Sequence, residues 1–139
     1  MWNKLVIMNW IQTIVKSGSK SDKEQKTIAV DFDGVLHSNI GGWDGAMPKN
    51  DPNNGSKAFI DKLLKRGYEV VIFSARARLK SGREGIRSWL EEHDFPKLQV
   101  TSEKPHAVLY IDDRGFRFNG DFDQALKFID GDKIDPWYK

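Results

Sequence analysis

Apolar and polar positions change rhythm near residue 27. Upstream, MWNKLVIMNWIQTIVK places Asn9, Gln12, Thr13 and Lys16 at helical spacing and leaves a wide apolar face carrying Trp2, Leu5, Val6, Trp10 and Ile14. The polar stretch SGSKSDKEQK that follows reads as a linker. The spacing therefore predicts an N-terminal amphipathic helix and linker over 1–26 and one domain over 27–139. The apolar piece is too short and too interrupted to span a bilayer. Asn9 and Gln12 inside it, with no small-x-small site after it, argue against a signal peptide. It reads as a docking or self-association helix rather than a membrane-surface one.

Downstream, the runs TIAVDFD and YEVVIFSA are β-branched and aromatic and have strand length. Between them, SKAFIDKLLKRG carries Phe59, Ile60, Leu63 and Leu64 at helical spacing and ends on Gly67. SGREGIRSWLEEH is a second helix, with Ser81 and Glu84 in a capping-box pattern ahead of Ile86, Trp89 and Leu90. LQVTS is a short strand and AVLYIDD a buried one. DFDQALKFIDG is a last helix, started by Asp121 and Gln124, with Phe122, Ala125, Leu126 and Ile129 on its apolar face and Gly131 as its stop. Strands alternating with helices predict an α/β fold, a three-layer Rossmann-like parallel sheet with helices on both faces.

The 139 residues suit one such domain, and 39% hydrophobic residues, with 8 Phe and 5 Trp, suffice for its core. A net charge of +2 from 22 basic and 20 acidic residues is too balanced for a protein whose main partner is bulk nucleic acid. The absence of cysteine excludes disulfides, thiolate metal sites and cysteine nucleophiles. A cytoplasmic enzyme is the simplest reading.

Ligands of open parallel sheets bind outside the carboxyl ends of the strands, so the residues that end each strand matter most. The first strand ends at Asp31 and Asp33, two residues apart and hence on one face of an extended chain. Their mutual repulsion needs a compensating cation or proton. The second strand ends at Ser74, with Arg76 close enough to meet an anionic substrate; the last ends at Asp112 and Asp113, with Lys104 just ahead of it. Singly, each of these reads as a turn residue, a cap or a solvated charge. Together, two carboxylate pairs supply hard oxygen ligands suited to Mg²⁺, and a hydroxyl and an ammonium supply donors for phosphoryl oxygens.

DFDGV, Ser74 after an apolar strand, Lys104 and IDD resemble, in order, the four motifs of the haloacid dehalogenase (HAD) superfamily. The resemblance covers residues 27 to about 129, and KPHAVLYIDDRGFRFNGDF looks like small, phosphatase-like members found in bacteria and phages. It implies a Mg²⁺-dependent phosphohydrolase. Asp31 would attack phosphorus to form an aspartyl-phosphate. Asp33 would protonate the leaving oxygen and then activate water. Mg²⁺ would be held by the Asp31 carboxylate, the Asp33 backbone carbonyl and Asp112, with Asp113 orienting a ligand water. Ser74 would donate to a phosphoryl oxygen, and Lys104 would offset the charge around Asp31. An acid at position 33 favours phosphoryl chemistry over dehalogenation.

The superfamily's cap domains have no room here. Between Asp31 and Ser74, one helix leaves LHSNIGGWDGAMPKNDPNNG, a loop or flap, so the core is expected to be capless. On that flap, Trp43 would pack over the sheet end or stack on a base, which would suit nucleotides or nucleic-acid terminal phosphates as substrates. His37 would be a flap hydrogen-bonding residue, and Arg114 would brace the nearby carboxylates. Two other classes compete. A response-regulator receiver needs its acidic pair on the first strand and a phosphorylated Asp after the third, where this chain has VTS. A catalytically silent binding module, recruited through residues 1–16, would keep the fold without turnover.

Overall fold

Four short β-branched and aromatic runs form the sheet. In the computed structural model, which describes residues 26–43, 45–131 and 134, these are β1 (Thr27–Asp31), β2 (Glu69–Phe73), β3 (Gln99–Thr101) and β4 (Leu109–Ile111). Of the expected N-terminal helix and linker over 1–26, residues 1–25 lie outside the described residues. All pairings are parallel, in the order β3-β2-β1-β4, so β1 lies between β2 and β4.

Helix α1 (Ser56–Lys65) joins β1 to β2, and helix α2 (Lys80–Glu92) joins β2 to β3. Both crossovers step in the same direction, and right-handed connections then put both helices on one face. The burial agrees. Ile28, Val30, Val70, Ile72 and Val100 share that face by register, and they pack with Ile60 and Leu63 of α1 and Ile86, Trp89 and Leu90 of α2. Each such aliphatic side chain contributes about 1.5–3 kcal/mol when fully withdrawn from water. Phe32 and Leu36, both fully buried, extend this core under the loop that follows β1. Helix α1 stops where the sequence predicts, at Gly67, whose φ of 84° takes the left-handed turn beyond the helix.

Three expectations are corrected. The Ser81–Glu84 capping box is not used: α2 already starts at Lys80, and its N-cap, Leu79, makes no side-chain cap bond. The chain leaves β2 into a 3₁₀ turn (Ala75–Arg78), and α2 follows it directly, which puts Ser81 inside the helix. The Ser74 hydroxyl caps that 3₁₀ turn by accepting from the Arg76 N–H at 3.2 Å. Second, β4 is not buried, since it is an edge strand with Leu109 and Tyr110 47% and 37% exposed. Third, helices on both faces are not seen among the described residues. The seven residues between β3 and β4 (102–108) are too few for a crossover helix. Helix α3 (Phe122–Gly131) begins as expected, with Asp121 Oδ1 accepting from the N–H groups of Asp123 and Gln124, but it buries none of its residues.

Candidate active site

Parallel pairing sends the carboxyl ends of all four strands to one edge. Because β1 is flanked by β2 and β4, Asp31 at its end has Ser74 on one side and Asp112–Asp113 on the other. Three sequence-distant segments thus meet where the direction of strand progression reverses, which is where open α/β sheets hold ligands.

Oxygens of Asp31, Asp112 and Asp113 lie within 4.8 Å of one another. Asp31 Oδ1 accepts the Phe32 N–H at 2.8 Å, and the Arg114 N–H donates to Asp112 Oδ1 at 2.8 Å. Burial is the main cause that pushes the Asp31 carboxyl up to about 8; the charges of Asp112 and Asp113 add to it, against the Phe32 hydrogen bond. A half-buried carboxylate beside two others is a place for a cation. The donor set is all oxygen, the kind that Mg²⁺ takes. Gly34 lets the chain turn beside Asp31: its φ is +84°, and a Cβ there would lie 2.2 Å from Asp113 Oδ2.

Asp33 is placed differently from Asp31. Its side chain is outside the acidic cluster, held by a clamp that the sequence did not announce. Arg76 Nε donates to Asp33 Oδ2 at 3.0 Å and Arg76 Nη2 to Oδ1 at 2.8 Å, a two-pronged ion pair. The imidazole of His37, which is 1% exposed, meets Oδ1 through Nδ1 at 2.9 Å. The Asn50 N–H donates to Nε2 at 3.1 Å, so the ring proton sits on Nδ1 and points at Asp33. Trp89 Nε1 donates to the Asn50 carbonyl at 2.8 Å, and Phe32 stacks on the His37 ring with centroids 5.1 Å apart. Burial alone would raise the Asp33 carboxyl, but the hydrogen bonds from His37 and Arg76 and the Arg76 charge outweigh it and hold it below the usual range.

Arg76, expected to meet an anionic substrate, lines the cavity and also clamps Asp33. Its side chain is fully buried on Asp33; it also donates through Nη1 to the Gly45 carbonyl and lies 4.5 Å from the Trp43 ring centroid. Ser74 is buried, tied to β3 by its N–H to the Thr101 carbonyl at 3.0 Å, and it lines the same cavity as Asp31. Lys104 does not line that cavity; it is exposed, and its Nζ lies over the Tyr110 ring, 4.8 Å from the centroid. The cations lining the cavity are Arg76, Arg78 and Arg114, beside Asn39 and Trp43. The cavity holds about 590 Å³, within the roughly 300–1,000 Å³ of small-molecule sites.

Among the described residues, the flap holds no helix or named strand. Asn50 Nδ2 donates to the Ser38 and Ile40 carbonyls at 2.8 and 3.0 Å, and Asn53 Nδ2 to the Val35 carbonyl at 2.9 Å. These side-chain bonds add to a single antiparallel backbone bridge, His37 with Pro52, in holding the loop. Among the described residues, no helix is long and apolar enough to cross a membrane.

No protein-family model and no curated protein matches this chain. A solved structure of a conserved protein from Bacteroides thetaiotaomicron is similar at 20% identity, over 76% of this chain and 90% of that one, with a TM-score of 0.50. That likeness supports the α/β fold with its parallel sheet.

Proposed function

We propose that this chain is a Mg²⁺-dependent phosphohydrolase with a capless HAD-like core, acting through an aspartyl-phosphate on Asp31. One observation carries the reading: the strand order gathers Asp31, Ser74 and Asp113 around one cavity at the carboxyl edge, with Asp112 clustered beside Asp31 and Asp113. Asp31, Asp112 and Asp113 would hold the ion, which supplies charge neutralisation for an anionic phosphoryl group. Asp31 attacks phosphorus, the bond from phosphorus to the ester oxygen breaks, and that oxygen leaves as an alcohol or phenol with a proton taken from solvent. Ser74 donates a hydrogen bond to a phosphoryl oxygen. Asp33, kept ionised by Arg76 and His37, is suited to take the proton of the water that hydrolyses the intermediate. Arg78 and Arg114 at the cavity supply the positive charge that the resemblance assigned to Lys104.

The test is hydrolysis of an aryl phosphate by the parent protein and by Asp31→Asn, each with Mg²⁺ and with a chelator. Activity should require both Asp31 and the ion. Turnover that persists in a folded Asp31→Asn protein would refute the assignment.

A further inference from the structure

Trp43 is the feature of this cavity that phosphoryl chemistry leaves unexplained. It lines the cavity that holds Asp31 and Ser74, yet it is 45% exposed. A half-exposed indole at a cavity presents an aromatic surface on which another flat ring can stack. Its position is also built. The Arg76 guanidinium lies 4.5 Å from its centroid, and Arg76 is fixed in turn by two bonds to Asp33 and one to the Gly45 carbonyl. On the other side of Trp43 in sequence, Asn50 pins the Ser38 and Ile40 carbonyls. The ring is thus indexed, through one buried arginine, to the residue two places after the nucleophile.

We infer that Trp43 is a stacking platform, and that the substrate is a phosphomonoester whose organic group carries a planar aromatic ring. The phosphoryl group sits at Asp31 and Ser74, and the ring lies against the indole across the cavity. A cavity of about 590 Å³ has room for both parts. This inference rests on the phosphohydrolase reading and adds the chemistry of the leaving group. A nucleobase or an aryl ester supplies the same ring.

The experiment measures binding by calorimetry in Mg²⁺ with the Asp31→Asn protein, with and without a second change, Trp43→Ala or Trp43→Phe. The probes are inorganic phosphate, glycerol phosphate, a nucleoside monophosphate and phenyl phosphate. Stacking predicts that a ring-bearing probe binds on the order of tenfold tighter than glycerol phosphate. Trp43→Ala should erase that ratio and Trp43→Phe keep most of it. The nucleotide and phenyl arms identify which source of the ring the cavity prefers. Equal affinities for ringed and ringless probes, or a ratio unchanged by Trp43→Ala, would overturn the platform. In that case hydrolysis of ringless phosphates by the parent protein would leave the phosphohydrolase reading intact. If neither inorganic phosphate nor any ester binds and the parent protein hydrolyses none of them, both fall together.

Discussion

Replacing Arg76 tests the clamp directly. Its side chain is fully buried and Asp33 is 22% exposed, so the pair is largely withdrawn from solvent. Removing one partner of such a pair strands the other charge, at about 3–5 kcal/mol. Small domains have about 5–15 kcal/mol in all, so Arg76→Met should lose a large share of its stability yet remain measurable at low temperature. Arg76→Lys keeps the charge but not the two-pronged geometry, and should lose about 1.5–3 kcal/mol, the worth of one hydrogen bond to a charged group. Asp33→Asn should be destabilising alone, because it leaves the guanidinium buried without its carboxylate.

The discriminating measurement is the double-mutant cycle, read by urea unfolding and tryptophan fluorescence at neutral pH. Arg76→Met with Asp33→Asn should be less destabilised than the sum of the single variants, by about 2–3 kcal/mol. The sign of the pH dependence gives a second reading. The folded-state pKa of Asp33 is depressed, so its stabilisation is present above the unfolded value and lost as pH falls through the folded one. Arg76→Met should therefore lose less stability than the parent does on acidification below about pH 4. Additive single-variant effects, within about 0.5 kcal/mol, would refute the clamp.

Two further outcomes are expected. Gly34→Ala would put a Cβ 2.2 Å from Asp113 Oδ2 on a backbone with φ +84°; it should weaken Mg²⁺ binding about 10–100-fold by displacing that carboxylate, and calorimetry showing unchanged affinity would contradict the site geometry. Asp31, raised to about 8 in the metal-free protein, holds a proton at neutral pH that a divalent cation must displace. Mg²⁺ affinity should then rise by up to about tenfold per pH unit from pH 6 to 8 and flatten above, with proton release visible as buffer-dependent heat; a flat profile would refute it.

The strand runs, the α1 stop at Gly67 and the gathering of Asp31, Ser74 and Asp112–Asp113 were legible because each rests on local chemistry. β-branched residues mark strands, glycine marks a left-handed turn, and parallel pairing sends strand ends to one edge. What escaped was set by partners distant in sequence. Arg76 reads as an anion-binding residue from its neighbours alone, and only its approach to Asp33, 43 positions away, turns it inward. His37 carries a weak local signal, four residues after Asp33, but its tautomer depends on an Asn50 N–H that no periodicity reveals. Lys104 is a different case. Its assignment rested on order along the chain, whereas the short β3–β4 connection leaves it over Tyr110. Residues held by backbone pairing can be placed from sequence, and residues held by side-chain charge need the fold first. That division follows the chemistry proposed here. The nucleophile and the ion ligands ride on strand ends, while the groups that set the state of Asp33 and aim Trp43 come from the 3₁₀ turn and the flap, where sequence change alters specificity without dismantling the sheet.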